Sequence, residues 1–391
     1  MRVSRADRSQ LAQWWFTVDH TLLAAIFALA AAGVVLSLAA SPAVAAKKGL
    51  ATFYFVERHV LFTGIALVIM LLVSLLDAAL VRRLALVIFG LAFMGLVAVN
   101  LTGAEVNGAR RWLRIGGHSL QPSEFAKPAF AVLMAWLFAE AQRRRDMPAL
   151  SIAVLVGVVF AGLLVAQPDV GQTLLVALVW GALFFLSGQP IVAAFGLAGV
   201  GALGLAAAYH IFPHVAGRID RFMTPDVGDN TQVARSMQSF IEGGFFGRGP
   251  GEGTIKTVLP DAHTDFIFAV VAEEYGIIAC LVLLALFAFI VLRALVAASR
   301  EPDGAIRLAI QGLSLLFAFQ ALINMAVNVG LLPAKGMTLP FISSGGSSTI
   351  AISITLGMLL ALTRRRHDLM RLKKPRLMPS VDFGNEAGAA R

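Results

Sequence analysis

The stretch GIIACLVLLALFAFIVLRALVA, from Gly276 to Ala297, decides the fold class. As a helix it is long enough to cross the hydrocarbon core of a bilayer, which is about 30 Å thick, and Arg293 is its single charged residue. Similar apolar windows recur along the chain. The whole sequence is 58% hydrophobic and 14% charged, whereas a soluble domain has roughly 25% charged residues. The composition therefore predicts a polytopic membrane protein and excludes an ordinary soluble domain.

Ten apolar windows predict an all-α fold with ten transmembrane helices. No cleavage site follows the first window, so we interpret it as a retained span and not as a signal peptide. Cys280 is the only cysteine, so no internal disulfide can form. The windows are Thr21–Ala40, Val60–Leu80, Leu84–Leu101, Phe125–Ala141, Ala149–Ala166, Thr173–Ser187, Ile191–Tyr209, Gly276–Ala297, Leu308–Leu331 and Ser344–Leu362.

Basic residues divide the connections between these windows into two sets. The segments MRVSRADR, VRR, QRRRD, ASREPDGAIR and TRRRHDLMRLKKPR all lie on the side that both termini share. Because cytoplasmic loops are enriched in Lys and Arg, both termini are predicted to be cytoplasmic. The predicted divisions are a cytoplasmic N-terminus (1–20), a membrane domain (21–363) and a basic, disordered cytoplasmic tail (364–391). The net charge of +9 is therefore interpreted as the contribution of basic residues in the cytoplasmic segments.

Three long polar connections lie on the opposite, extracytoplasmic side. They run from Ser41 to His59, from Thr102 to Glu124, and from His210 to about Asp265 between the seventh and eighth helices. Loops of this length in a compact fold are usually functional or disordered. The largest, 210–265, is dense in glycine, charge and aromatic residues, so we expect it to be ordered. The active face is therefore predicted to be extracytoplasmic.

The stretch DAHTDFIFAVVAEEYG, Asp261 to Gly276, brings carboxylates to the start of the eighth span. A helix from Phe266 to Ala297 would be about 48 Å long, so its first turns must lie at or above the outer interface. Asp265 at that boundary is a candidate general base, because partial burial raises the pKa of a carboxylate. The alternative is that Thr264 or Asp265 simply caps the helix.

Several features near that carboxylate leave their roles open. Ala269, Ala272 and Gly276 follow Asp265 at helical spacing, which predicts a face that admits a helix or a ligand. Asn324 and Asn328 are predicted to bond neighbouring helices. The FISSGGSS motif opens the last window, where backbone amides attract anions, although small residues there also suit helix packing.

The segment GARRWLRIGGHSLQPSEFAKPAF collects further charges on the same face. Arg110, Arg111 and Arg114 are cations that suit an anionic phosphate group. Glu124 and Lys127 are three residues apart and have the alternative of pairing with each other. Asp169, in QPDVGQT, falls between two windows, where a turn aspartate is the structural alternative.

Two glycine-rich segments and the histidines suggest no additional chemistry. GFFGRGPGEGTIKT lacks the spacing of a nucleotide-binding loop. The glycines of the seventh window (Gly196, Gly199, Gly201 and Gly204) are predicted to pack inside the protein, with a partner contact as the alternative. No His or Cys grouping has the spacing of a zinc site.

Four motifs together resemble the SEDS family of bacterial cell-wall polymerases. They are GARRWLRIGGHSLQPSEFAKPA, QPDVGQTLL, GGFFGRGPGEGTIKTVLPDAHTDFIFAVVAEEYG and GMTLPFISSGGSS. The resemblance covers nearly all ten windows. The form TLPFISSGGSS and the amino-terminal RADRSQLAQWWFTVDH resemble the division branch, FtsW of the alphaproteobacterial type, more than the elongation branch, RodA.

The resemblance implies a glycosyltransferase that polymerises lipid II into peptidoglycan strands during septal cell-wall synthesis. The implied location is the bacterial inner membrane at the division septum, and the implied partners are an FtsI-like class B penicillin-binding transpeptidase and other divisome membrane proteins. Nucleic acid is not among the partners. The sequence requires no cofactor, although a divalent cation, Mg²⁺ or Mn²⁺, would suit such chemistry, and its ligands are unknown.

The resemblance also implies residue roles. Asp265, in the motif HTDFIF, is the catalytic candidate. The substrate-binding candidates are Lys127, Glu124, Gln121, Arg111, Arg114, Asp169, His263, Ser343 and Ser344. Some relatives have arginine where this chain has Ser119, so any phosphate contact of that arginine must come from elsewhere, with Arg111 and Arg114 as candidates.

Three other functions fit parts of the sequence. These are a RodA-like elongation polymerase, a lipid II flippase, and a scaffold that only recruits the transpeptidase. A flippase would concentrate its polar residues near the bilayer centre. The residues capable of chemistry here crowd the outer face, which favours an enzyme.

Overall fold

The computed structural model describes residues 9–106, 109–116, 118–144, 146–211, 216–217, 220, 232–333 and 336–364. This part of the chain is mostly helical. Its α-helices are α1 (Gln10–Thr17), α2 (His20–Lys47), α3 (Tyr54–Ser74), α4 (Ala78–Thr102), α5 (Pro122–Arg143), α6 (Ala149–Ala166), α7 (Val170–Leu186), α8 (Ile191–Ile211), α9 (Gln232–Gly243), α10 (Ile267–Ser299), α11 (Gly304–Asn328) and α12 (Gly346–Leu362). Apart from residue 364, the predicted tail lies outside the described residues.

Six helices have the length and apolar composition needed to cross a membrane, namely α2, α3, α4, α6, α10 and α11. The helices α7 and α12 are apolar but shorter. The chain is therefore a multi-pass membrane protein. Each of the ten predicted windows overlaps one of the helices α2–α8 and α10–α12, while the number that cross the bilayer remains a prediction.

The core lies where α12 passes between α3 and α5. Residues 351–362 of α12 are all buried, and α12 packs mainly against α3, whereas α5 packs against α4 and α11. A Cβ atom added at Gly357 would lie 2.8 Å from the carbonyl oxygen of Met70, so this position needs glycine for the two helices to approach. This contact aligns α3 and α12, and the start of α12 lies near the start of α3.

A small antiparallel sheet precedes α5 and departs from the all-α prediction. Its strands are β1 (Ala104–Val106), β2 (Ala109–Ile115) and β3 (His118–Leu120), in the order β1-β2-β3. The segment has few consecutive apolar residues, so hydropathy marks it only as a polar connection. The hairpin of β2 and β3 turns at Gly116, where φ is +57°, a conformation that glycine adopts without strain.

The helix predicted from Phe266 to Ala297 is interrupted at Gly276, where φ is +79°. The glycine-rich loop after α9 fills this break with its own backbone. Ile277 N–H donates to Gly244 O at 2.9 Å, and Gly249 N–H donates to Glu274 O at 3.0 Å. The loop thereby satisfies groups that the interrupted helix leaves unpaired. The glycines of GFFGRGPGEG therefore serve close backbone contact with α10.

Glu273 and Glu274 anchor the same loop. The Glu273 carboxylate accepts three backbone N–H bonds, from residues 254, 255 and 256, at 2.5, 2.7 and 3.1 Å. Glu274 pairs with the buried Lys256 Nζ and accepts the Gly251 N–H at 2.9 Å. Both glutamates are at most 1% exposed. Two of the acids in DAHTDFIFAVVAEEYG are therefore structural.

The small face after Asp265 accommodates a helix. A Cβ atom at Gly243, the last residue of α9, would clash with the carbonyl group of Ala272, so α9 lies directly on α10 there. By contrast, the prediction that the glycines of α8 pack internally is wrong. A Cβ atom added at Gly196, Gly199, Gly201 or Gly204 would meet open space, because α8 packs mainly against α7 alone.

Candidate active site

Asp265 lies in the turn that leads into α10. The residue that caps α10 is Phe266, which makes no side-chain capping bond, and the side chain that accepts from a first-turn amide, that of Ala269, belongs to Asn328 of α11. The alternative that Thr264 or Asp265 caps the helix is therefore wrong. The Asp265 side chain is half-buried, and its carboxylate makes no hydrogen bond with a described residue. That carboxylate is available to a ligand.

Two asparagines of α11 hold the backbone of Asp265. Asn324 Nδ2 and Asn328 Nδ2 donate to the Asp265 carbonyl oxygen at 2.8 and 2.9 Å. Asn328 Oδ1 also accepts the Ala269 N–H at 3.1 Å. From the sequence, this pair was expected only to form hydrogen bonds with neighbouring helices. The structure shows that the pair fixes the main chain from which the candidate base projects.

The surroundings of Asp265 raise the pKa of its carboxyl to about 7. Burial is the main cause, because a carboxylate loses hydration in an apolar setting. The negative charge of Asp261 raises the pKa further, and the positive charge of Arg111 opposes both effects. A carboxylate with a pKa near neutrality is well matched to general-base catalysis.

The loop before α12 braces the same turn from the other side. Ser343 Oγ donates to the Thr264 carbonyl oxygen and accepts the Leu339 N–H at 2.7 Å. Ser344 N–H donates to the His263 carbonyl oxygen at 2.9 Å. Both predicted serines and His263 therefore lie beside Asp265. Ser343 is held by protein contacts, whereas Ser344 Oγ is buried without a described partner.

A buried polar network surrounds Glu124 and Lys127 on α5. Lys127 Nζ lies 2.9 Å from Glu124 Oε1 and donates to Gln320 Oε1 at 3.1 Å. Glu124 also accepts from Gln172 Nε2 at 2.7 Å and from Ser348 Oγ at 3.2 Å. Both charged side chains are 3% exposed. The pairing alternative is therefore confirmed, and it connects α5, α7, α11 and α12.

Asp169 extends this network toward the sheet. It caps α7 by accepting the Gln172 N–H at 3.4 Å, as the turn alternative expected. Its carboxylate also lies 3.6 Å from Arg111 Nε and accepts from Gln121 Nε2 at 3.4 Å. Arg111 donates in addition to the Pro168 carbonyl oxygen at 2.6 Å. The structure thus brings together five predicted site residues: Arg111, Gln121, Glu124, Lys127 and Asp169.

Arg114 lies apart from these contacts. Its side chain is exposed on β2, and its Cα is paired with that of Ser119 on β3. Directly opposed residues of an antiparallel pair project to the same face. Arg114 can therefore present its guanidinium on the face where an arginine at position 119 would project.

The glutamine and serine partners of the Glu124 and Lys127 ion pair were not predicted from the sequence, and neither was the positioning role of the asparagines. The sequence does contain a pattern that marks some of these residues. Gln320, Asn324 and Asn328 recur every fourth residue of an otherwise apolar helix, which places them on one face about 6 Å apart along its axis. That face of α11 links the Lys127 ion pair to the Asp265 turn.

The described residues contain no group of three or more His, Cys, Asp or Glu side chains placed to hold a metal ion. The Glu124 and Asp169 carboxylates are already bound to cations and amides. We therefore derive no step through a metal.

The family model for cell cycle proteins of the FtsW, RodA and SpoVE type matches residues 20–368. The chain belongs to this family. A Caulobacter vibrioides protein named probable peptidoglycan glycosyltransferase FtsW is 46% identical over 364 residues, which are 93% of each chain. A Trichlorobacter lovleyi protein of the same name is 36% identical and covers 88% of this chain and 93% of its own.

Two solved structures share the fold. A chain of a peptidoglycan synthase complex that coordinates polymerization and crosslinking superposes with a TM-score of 0.74 at 29% identity, over 90% of this chain and 99% of that one. The rod shape determining protein RodA of Thermus thermophilus gives a TM-score of 0.65 at 26% identity, over 89% and 97% of the two chains.

Proposed function

We propose that this protein is a peptidoglycan glycosyltransferase that polymerises lipid II into glycan strands during septal wall synthesis. The observation that carries the proposal is Asp265, a half-buried carboxylate whose pKa is raised to about 7 and whose main chain is fixed by Asn324 and Asn328. The names of the relatives supply the reaction class.

In the proposed reaction, the 4-hydroxyl group of one lipid II sugar attacks C1 of the sugar on the growing strand. A C–O bond forms at C1 as the bond to undecaprenyl diphosphate breaks, with inversion to a β-1,4 link. Asp265 takes the proton of the attacking hydroxyl, and the diphosphate leaves with the electron pair. The charge on the departing diphosphate needs fixed cations close by.

Arg111 and Arg114 are the proposed diphosphate contacts, because Arg111 lies close enough to influence Asp265 and Arg114 is exposed. Lys127 is held between Glu124 and Gln320, so it contributes positive potential from a buried position. Glu124 orients Lys127 and Gln172, Asp169 orients Arg111, and Gln121 donates to Asp169. We assign the remaining candidates, His263, Ser343 and Ser344, to the wall of the site next to Asp265.

The proposed topology has ten spans, with 1–20 and 364–391 in the cytoplasm and the loop 210–265 outside. The distribution of Lys and Arg between the connections supports this orientation. The starts of α5, α10 and α12 then lie at the outer face, together with Asp265. This arrangement suits a lipid-anchored substrate whose sugars project from the outer leaflet at the division septum.

The proposed partner is a class B penicillin-binding transpeptidase of the FtsI type. The similarity to a chain from a peptidoglycan synthase complex that coordinates polymerization and crosslinking supports this assignment. Other divisome membrane proteins complete the proposed assembly.

The direct test is reconstitution with lipid II, with and without an FtsI-like partner. Formation of glycan strands by the protein or by the complex is the expected result. Transfer of fluorescent lipid II between leaflets without strand synthesis would instead indicate a flippase. Depletion in cells distinguishes the two branches, since a division enzyme gives filaments that fail to constrict, whereas an elongation enzyme gives rounded cells that still divide.

A further inference from the structure

A cavity of about 170 Å³ lies between the starts of α3 and α12 and the turn before α10. Its wall includes Arg58, His59, His263, Ser344, Gly345 and Gly346. None of the contacts of the Glu124 network involves these residues. The cavity adjoins the candidate active site, and its link to the candidate base is His263, two residues before Asp265.

Buried polar groups of this wall lack partners. His263 is 6% exposed and its Nδ1 makes no hydrogen bond with a described residue. The Ser344 hydroxyl is also buried without a hydrogen-bond partner among the described residues. His59 is 2% exposed and differs from these two groups, because its ring lies against the Phe341 backbone, which can accept from it. Since buried polar groups in proteins are normally satisfied, this cluster indicates a polar ligand.

The cavity also adjoins the amino terminus of α12. Gly345 caps this helix without any side-chain hydrogen bond to its first amides. The first amides of a helix carry partial positive charge and bind anions. Gly346 lies close to α3, since a Cβ atom there would lie 3.0 Å from the ring of Phe62. The helix end and the unpaired Nδ1 of His263 are independent indications of the same site.

Positive charge flanks the opening. The Arg58 guanidinium is exposed and lies 5.8 Å from the centre of the Phe62 ring. Lys48 Nζ lies 5.2 Å from the centre of the Phe55 ring, which in turn contacts His263 at 4.7 Å. Burial and the charge of Lys48 lower the pKa of His263 to about 4, against the opposing effect of Asp261. His263 is therefore a neutral donor, and Arg58 and Lys48 supply the charge.

We propose that this cavity is a phosphate-binding subsite for a lipid at the outer membrane surface. Arg58 and Lys48 attract the phosphate, and the first amides of α12, the Ser344 hydroxyl and the His263 imidazole donate hydrogen bonds to its oxygens. The phosphate can come from the diphosphate of a polyprenyl substrate, which rests on the proposed function, or from the headgroup of a bulk phospholipid. Both sources carry the chemistry that this wall recognises.

The test measures lipid affinity of the purified full-length protein by native mass spectrometry. The probes are undecaprenyl diphosphate, phosphatidylglycerol and undecaprenol, which has no phosphate. The variants are Arg58→Gln, on the surface of the cavity, and His263→Phe, whose ring suits contact with Phe55. Arg83→Gln is the matched control, because Arg83 is exposed on α4 near the other end of α3. Thermal unfolding checks that each variant is folded.

We expect Arg58→Gln and His263→Phe each to weaken binding of a phosphate lipid by about tenfold, which corresponds to one charge-assisted hydrogen bond. Undecaprenol binding and the Arg83→Gln control should not change. Loss confined to undecaprenyl diphosphate assigns the subsite to the substrate, and loss confined to phosphatidylglycerol assigns it to bulk lipid. Equal loss with undecaprenol, or folded Arg58→Gln protein with unchanged affinity for both phosphate lipids, would overturn the proposal.

These readouts do not depend on turnover. If the wild-type protein binds phosphate lipids through Arg58 but makes no glycan strands, the proposed function fails and the subsite stands. If strands form and the variants bind all lipids normally, the subsite fails and the proposed function stands.

Discussion

Asn328 Nδ2 lies 2.9 Å from the carbonyl oxygen of Asp265, and Asn328 itself is fully buried. The same side chain accepts the Ala269 N–H at 3.1 Å. One amide on α11 thus bonds the backbone on both sides of the start of α10. The position of the candidate base is therefore set by a helix that is far from it in sequence.

Replacing Asn328 by Leu should lower both stability and polymerisation. The substitution removes one of the two amide bonds to the Asp265 carbonyl and the side-chain bond to the Ala269 N–H, and each lost bond costs about 0.5–1.5 kcal/mol. Thermal unfolding and the rate of strand synthesis are the measurements. Asn100→Leu is the control, because in the described part of the chain the Asn100 side chain bonds to Leu96 O of its own helix. If Asn328→Leu is as stable and as active as this control, α11 does not position Asp265.

The rate of polymerisation should rise with pH through about 7, because the deprotonated form of Asp265 is the base and its pKa is raised to about 7. Asp261→Asn removes a negative charge that raises this pKa, so the midpoint should move to lower pH. The substitution suits the backbone, since φ at Asp261 is +53° and Asn tolerates that region. A profile that is flat between pH 5 and 9 in both proteins would contradict the assignment.

The stability of the folded protein should fall as the pH rises, whereas the rate of polymerisation should increase. Folding raises the Asp265 pKa above its ordinary value of 3.8, so the folded state retains a proton that the unfolded chain releases as the pH rises from about 4 to about 7. Stability therefore falls across that window. This fall should be absent from Asp265→Asn, and unfolding of both proteins as a function of pH measures the difference.

Variants of Glu124 and Lys127 can distinguish a structural role of this ion pair from a functional one. Lys127→Met leaves a buried carboxylate without its cation and should destabilise the protein by about 3–5 kcal/mol. Adding Glu124→Gln removes that charge and should recover most of the stability. We expect the double variant to fold and still use the diphosphate-linked donor poorly. Full activity in the folded double variant would show that the pair is only structural.

The apolar helices could be predicted from the sequence, whereas several details of the site could not. Hydropathy locates a helix wherever the lipid requires an apolar surface, and α6 and α8 follow their windows closely. It is blind to β2, whose pairing with β3 depends on backbone bonds across a turn. The break at Gly276 also escapes prediction, because its cause is the backbone of Phe245 and Gly247 packed against it, many residues earlier in the chain.

Asp265 could be predicted as the candidate base because it stands at a boundary between polar and apolar segments. The hydrogen-bond partners of Glu124 and Lys127 could not be predicted. Gln172, Gln320 and Ser348 join the Glu124 network from three separate helices, and only the folded structure brings them together. The spacing of Gln320, Asn324 and Asn328 marks the inward face of α11, but it does not identify what each amide binds.

Glycan-strand synthesis from lipid II by purified Asp265→Asn protein, alone and with an FtsI-like partner, tests the role of Asp265 most directly. The amide keeps the shape of the side chain and cannot accept the proton of the attacking hydroxyl. Asp261→Asn, in the same turn and exposed, is the matched control. We expect Asp265→Asn to be folded and to make no strands, while wild-type and Asp261→Asn proteins make them. Strand synthesis by folded Asp265→Asn at a rate close to that of the wild type would contradict the general-base mechanism.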